Sequence, residues 1–130
     1  MSAWTADELD TIGAASELNI APVRSDGSLC AYTTIWVVRV GDELFVRSFR
    51  GRNGTWYRTT QQSHHGRIRA GGVERDVAFE DVHDNTDAVD AAYRGKYGPS
   101  SYVDAMVTPD AAATTLRPIP ADTKGQRADD

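Results

Sequence analysis

The sequence predicts a mainly β (α+β) domain, a small barrel of about six or seven short strands with peripheral helices. Three observations point there. β-Branched and aromatic residues concentrate in short runs at close spacing, as in Thr33 to Val40 and Val73 to Val82. Tight turn signals separate these runs: Ser25-Asp26-Gly27, Gly41-Asp42 and Gly71-Gly72. The strands are short and closely spaced, with the helices peripheral to them, which points to a barrel and not to parallel βαβ units. A chain of 130 residues, 40% of them hydrophobic and 25% charged, has enough apolar material for one core.

Taken in order, Ala6 to Leu18 reads as an N-terminal helix. Leu9, Ile12, Ala15 and Leu18 recur at helical spacing behind the cap Thr5, and Asp7 and Glu8 stand in the first turn. Asn19 to Arg24 and Ser28 to Tyr32 form a hairpin around Asp26-Gly27. Thr33 to Val40 is apolar on both faces and reads as a central strand. Gly41-Asp42 turns it into Glu43 to Ser48, where Leu44, Val46 and Ser48 share one face and Phe45 and Arg47 the other. A glycine- and arginine-rich loop, Phe49 to Thr55, leads to a short helix at Trp56 to Gln62. Gly66 to Ala70 and Val73 to Val82 make a hairpin around Gly71-Gly72. Asp84 to Tyr97 is an amphipathic helix with Val89, Ala92 and Tyr93 inward. Thr108-Pro109 opens a very short helix, Thr114 to Arg117 is the last strand, and the polar segment 121–130 is a tail to a domain spanning residues 1–120.

The net charge of −5 argues against nucleic acid as a partner and against attraction to an anionic membrane. No apolar run approaches the roughly 20 residues of a membrane helix, and the N-terminus carries no basic or apolar leader, so a cytoplasmic protein is expected. The single cysteine, Cys30, fits a reducing compartment. The distribution of charge is uneven. Residues 1–46 carry −5, residues 47–75 carry +6 and residues 76–130 carry −6. The central block holds seven arginines, Arg47, Arg50, Arg52, Arg58, Arg67, Arg69 and Arg75, against Glu74 alone. Such a block either forms a local anion site or pairs with the acidic flanks.

The strongest candidate site is the strand-to-loop passage from Leu44 to Arg58. Arg47 and Ser48 end a strand, Gly51 lets backbone amides approach a ligand, and Arg50 and Arg52 add forked donors suited to phosphate. Trp56 and Tyr57 add flat surfaces beside that charge. These residue types fit a cofactor with an aromatic ring and a phosphate tail. Arg47 is the expected centre of the clamp, although Arg47 and Ser48 alternate across the strand, so only one of them faces a ligand directly. There is no P-loop and no G-x-G-x-x-G dinucleotide fingerprint.

The strings Glu8-Leu9-Asp10-x-Ile12-Gly13, Ile35-Trp36-Val37-Val38, Phe45-Val46-Arg47-Ser48, Trp56-Tyr57, Gly71-Gly72-Val73 and Ala92-Tyr93-Arg94-x-Lys96-Tyr97 resemble the uncharacterised bacterial family called domain of unknown function 2255. The likeness runs from about Trp4 to Pro120. The family resembles in turn the split β-barrel proteins that bind flavin or deazaflavin. That resemblance implies a split barrel, a homodimer, and flavin mononucleotide or deazaflavin as cofactor. It implies an oxidoreductase moving a hydride to a small conjugated substrate. Ser48 and Trp56 match the segment that meets the cofactor phosphates in the nitroreductase-like branch. Gly54 stands where that branch has proline, and Arg50-Gly51 replaces its paired glycines. A ligand-binding barrel without redox chemistry, and a cofactor-free acid/base enzyme using a tyrosine or aspartate, are the alternatives.

The remaining chemistry-bearing residues have plainer readings. His64 and His65 are adjacent and on a strand would point to opposite faces, so no metal is expected there. Asp76, Glu80 and Asp81 read as a solvated strand edge. Trp36, Phe45 and Phe79 read as core, and Cys30 as a buried thiol.

Overall fold

The computed structural model describes residues 4–84 and 86–121. Nine of the ten residues of the expected tail, 122–130, lie outside that range, and Ala121 donates its amide to the Asp76 carbonyl at 2.9 Å. Helix α1, Ala6–Ala14, starts at Thr5. The Thr5 hydroxyl accepts from the Glu8 amide, and the Glu8 carboxylate accepts from the Thr5 amide. Leu9 and Ile12 are its buried face. The helix ends before Leu18, which is the first residue of β1.

Strands β1 (Leu18–Pro22), β2 (Thr33–Ile35), β5 (His65–Ala70), β6 (Val73–Asp81) and β7 (Leu116–Pro120) form an antiparallel sheet in the order β2-β1-β5-β6-β7. Strands β3 (Val38–Val40) and β4 (Glu43–Phe45) form a separate hairpin, with Val40 opposite Glu43 across Gly41-Asp42. An isolated pairing of Val46 with Leu116 fastens the end of β4 to β7, and this brings the two sheets around one interior. Pro118 and Pro120 are tolerated in β7 because it is an edge strand. The helices α2 (Thr55–Ser63), α3 (Thr86–Tyr97), α4 (Ser101–Met106) and α5 (Pro109–Ala112) lie around these sheets. No helix among the described residues is long and apolar enough to cross a membrane.

Two expectations change. Ser28 to Tyr32 is not a strand beyond a single Val23–Leu29 bridge, and the partner of β1 is β2, with Leu18 opposite Ile35. Thr33 to Val40 is not one central strand either. The chain leaves the first sheet after Ile35 and enters the second at Val38. The backbone of Val37 bonds to side chains of α3 instead of to a neighbouring strand: its carbonyl accepts from Lys96 Nζ at 2.6 Å, and its amide donates to the Tyr97 hydroxyl at 3.3 Å. Both faces are apolar because each packs on a different core. Val37 joins Leu18, Ile20, Leu44, Val46, Ile68 and Phe79 inside the barrel, whereas Val38 joins Phe45, Val89, Tyr93 and Met106 beneath α3. Helix α4, which the sequence reading passed over, is six residues capped by the Ser100 hydroxyl.

Glu8 connects the start of the chain to the sheet, since it also pairs with Arg75 of β6. Burial works to raise its carboxyl, but the Thr5 amide and the Arg75 guanidinium outweigh burial and hold it below its ordinary value of 4.5. A lowered carboxyl stabilises the fold above the unfolded value and loses that contribution as pH falls through the folded one. Glu8→Ala is expected to cost about 1 kcal/mol at pH 7 in urea unfolding, on the scale of a capping interaction. The gap between parent and variant should close below pH 4.5.

Candidate functional site

A cavity of about 570 Å³ opens where four segments meet: β2 and the kink after it, the chain leaving β4, the start of α2, and α4. Trp36, Phe49, Trp56 and Tyr102 bring aromatic rings to its wall, Ser48 and Arg50 bring polar groups, and no carboxylate or histidine lines it. The wall therefore suits a ligand that is part flat and apolar, part anionic.

Arg47 was expected to centre the anion clamp, and the structure turns it inward. Its side chain is fully buried. Nη1 donates to Asp90 Oδ1 at 2.5 Å and to the Met106 carbonyl at 2.9 Å, and Nε donates to Thr115 Oγ1 at 2.9 Å. The guanidinium also lies 5.6 Å from the centre of the Tyr93 ring. Alternation along the strand explains this placement. Arg47 shares the face of Phe45, which packs under α3, so it meets the acidic residue that α3 presents. It holds the wall together and also lines the cavity, with Nε and Nη1 engaged as above and Nη2 lying 3.5 Å from the Thr86 carbonyl.

Ser48 lies on the opposite face and is fully buried. Its amide donates to Thr114 Oγ1 at 2.9 Å, while its hydroxyl has no hydrogen-bond partner among the described residues. Gly54 makes room for that hydroxyl, since a Cβ at Gly54 would collide with it. Gly54 is also the N-cap of α2, and no side chain caps that helix. An unsatisfied hydroxyl and an uncapped helix start thus adjoin in the cavity wall, together with Thr55 and Trp56.

The other expected site residues separate. Arg50 lines the cavity and makes no ion pair among the described residues. Gly51 is buried at φ 62° in a short 3-10 turn, Gly51–Asn53, where the Asp110 carboxylate occupies the space a Cβ would need. Arg52 turns towards that same carboxylate at 3.7 Å and does not line the cavity. Trp56 lines the cavity, is 9% exposed and stands nearly perpendicular to the Tyr57 ring.

Elsewhere, most of the arginine block pairs with acidic residues or aromatic rings. Arg67 binds Asp76, Arg75 binds Glu8, and Arg69 lies over the Tyr32 ring at 4.3 Å. The supposed strand-edge carboxylates are engaged as well: Glu80 with Arg117, and Asp81 with Gln61 and His64. Among the described residues no three potential ligands are grouped to hold a metal ion. Cys30 is half-buried, not buried. Of the five tyrosines only Tyr102 lines the cavity. The Tyr32 hydroxyl binds Glu74, and the Tyr97 hydroxyl binds the Ser16 and Val37 carbonyls. Trp36, expected in the core, is half-buried: it packs against the core cluster beneath α3 and also lines the cavity. A period-two pattern with both faces apolar gave no sign that the chain kinks there.

The assignment of Arg47 to structure has a measurable consequence. Removing one partner of a buried ion pair leaves the other uncompensated, at a cost of about 3–5 kcal/mol. Asp90→Ala and Arg47→Ala should each destabilise the protein near the low end of that range, since Asp90 keeps some contact with water. The double variant should lose clearly less than the two single losses combined when unfolding is followed by circular dichroism. Arg47→Lys should not rescue, because an ammonium cannot span three acceptors as the fork does.

No curated protein matches this sequence. Several solved structures share the fold at low identity. HutZ, the haem storage protein from Vibrio cholerae, superposes with a TM-score of 0.67 at 14% identity, over 89% of each chain. A FAD-binding protein from Mesorhizobium loti gives 0.59 at 15% identity, over 92% of this chain and 91% of that one. An F420 reductase gives 0.57 at 19% identity, over 86% and 90%. These likenesses establish the split-barrel type of fold. Residues 8–118 match the model of the family described as "Uncharacterized protein conserved in bacteria (DUF2255)", and the chain belongs to that family.

Proposed function

We propose that the cavity binds a phosphate-bearing cofactor with a flat ring system, of the flavin or deazaflavin class, and that the protein is an oxidoreductase built on it. The observation that carries this reading is the buried hydroxyl of Ser48, without a partner among the described residues, beside the start of α2 that no side chain caps, with Arg50, which makes no ion pair among those residues, on the same wall. A buried hydroxyl without a partner costs free energy in the empty protein and gains a hydrogen bond when an anion arrives. Ser48, Arg50 and the α2 amides would hold the phosphate, and the aromatic wall would hold the rings. Gly51 shapes the turn that carries Arg50, and Arg52 approaches a ligand only by leaving Asp110.

The bound group would supply hydride transfer to a small conjugated substrate, while this chain orients the group and shields it from water. The structural relatives support the class of ligand, being described as an F420 reductase, a FAD-binding protein and a haem storage protein. Haem fits this chain less well, since the lining holds no histidine or cysteine and only Tyr102 and Met106 as residues of axial-ligand type. A cofactor-free acid/base reaction has support from Tyr102 alone.

Titration with flavin mononucleotide and with deazaflavin, followed by fluorescence, tests the reading. Binding should be saturable and should weaken with salt. A charged hydrogen bond is worth about 1.5–3 kcal/mol, so Arg50→Ala should weaken binding roughly ten- to a hundredfold. Arg94→Ala, on the exposed side of α3, should leave it unchanged. Ser48→Ala should weaken binding while leaving unfolding stability level or slightly improved, because the lost hydroxyl has no partner among the described residues. Failure of both cofactors to bind would overturn the reading. A two-fold homodimer belongs to the same proposal. Phe49 and Tyr102 stand 53% and 63% exposed at the mouth of the cavity, rings 6.0 Å apart, where a second copy would cover them. Sedimentation at micromolar concentration should give twice the monomer mass.

A further inference from the structure

We propose that Trp36 is the plate on which the ring system of the bound ligand stacks, and that Tyr97 is the positioning residue that holds the plate still. This rests on the reading of the cavity as a site for a flat-ringed cofactor, and it names the residue that meets the rings.

The Trp36 and Tyr97 rings lie parallel, with centroids 3.9 Å apart and planes within 4°. Trp36 lines the cavity and Tyr97 does not, so the indole stands between Tyr97 and the ligand space with one face already covered. Tyr97 is itself fixed. Its hydroxyl lies 2.9 Å from the Ser16 carbonyl and 3.1 Å from the Val37 carbonyl, and it accepts from the Val37 amide. Lys96 Nζ donates to that same Val37 carbonyl and lies 5.1 Å from the Tyr97 ring centre. The bonds that force the chain to change sheets at Val37 therefore also fix the stacked pair in advance of any ligand.

The other rings on the wall lack this combination. Phe49 and Tyr102 are more than half exposed and would have to be ordered on binding, at an entropic cost. Trp56 is almost wholly buried and packs edge-on to Tyr57. Trp36 alone among them is both open to the cavity and backed by a hydrogen-bonded neighbour. Stacking on such a pre-positioned ring contributes affinity without an ordering penalty.

The contribution of the rings can be separated from that of the phosphate with two probes, flavin mononucleotide and riboflavin, which share the ring system and differ in the phosphate. Trp36→Leu is expected to weaken both by the same factor, at least about fivefold, the equivalent of about 1 kcal/mol. Trp36→Phe, which keeps a flat ring over Tyr97, should recover most of the loss. Arg50→Ala should weaken flavin mononucleotide and leave riboflavin as it was. A Trp36→Leu protein that is folded by circular dichroism and binds both probes as the parent does overturns the role of Trp36 and leaves the cofactor reading intact. If neither probe binds the parent, the stacking proposal falls, while the cofactor reading falls only if deazaflavin also fails to bind.

Should Trp36→Leu fail to fold, the parent protein labelled with 5-fluorotryptophan decides the matter. Its chain holds three tryptophans, Trp4, Trp36 and Trp56. The Trp36 fluorine resonance, assigned by its absence in Trp36→Phe, should shift upfield on saturation with riboflavin, as a fluorine under an aromatic face does, while Trp4 stays in place. A Trp36 resonance unmoved by saturating riboflavin overturns the proposal.

Discussion

The guanidinium of Arg47 carries a full charge with no access to water, and the structure around the cavity is arranged to satisfy it. Such a group is tolerated only where its donors find acceptors in good geometry. Here the acceptors come from three places far apart in sequence: Asp90 on α3, the Met106 carbonyl at the end of α4, and the Thr115 hydroxyl just before β7. One side chain thus fixes the end of β4 against the elements that form one wall of the cavity. Ser48, the next residue, is held in register by Thr114 for the same reason. The hydroxyl of Ser48 can stay buried and unpartnered because its backbone is pinned and Gly54 leaves it space.

A second constraint acts on the opposite wall. Val37 sits between two sheets, and its backbone groups bond to α3 in place of a strand. That substitution lets one run of β-forming residues serve two sheets, with Val37 in the barrel interior and Val38 under α3. The kink opens the space that Trp36 lines. Helix α3 therefore supports both sides of the site, through Asp90 on one and through Lys96 and Tyr97 on the other, without lining the cavity itself.

The charges follow the same logic. An acidic protein with a block of arginines would be expected either to gather them at a ligand or to neutralise them, and it does both. Arg47, Arg67 and Arg75 meet carboxylates, Arg69 lies on Tyr32, and Arg52 leans towards Asp110. Arg50 lines the cavity and keeps its charge uncompensated by any ion pair among the described residues. A cation without an ion pair among the described residues, in a wall lined by no carboxylate, concentrates attraction for an anion on a small area, while the net charge of −5 discourages longer polyanions.

Local physics was legible in the sequence. The capping box at Thr5 and Glu8, the Gly41-Asp42 and Gly71-Gly72 turns, Pro109 at the start of its helix and the alternation of Leu44, Phe45, Val46, Arg47 and Ser48 each depend on residues a few positions apart. So did the family likeness and the passage from Ser48 to Trp56 as one side of a site. What the sequence could not determine was which face of each strand meets which partner. The alternation said that Arg47 and Ser48 diverge, but only the packing of α3 decided that Arg47 pairs with Asp90 while the Ser48 hydroxyl stays unpartnered among the described residues, both lining the cavity. Likewise an apolar run such as Thr33 to Val40 looks the same whether it lies between strands or bends between two cores. The bonds that bend it come from Lys96 and Tyr97, some sixty residues away, and no local pattern at Val37 records them.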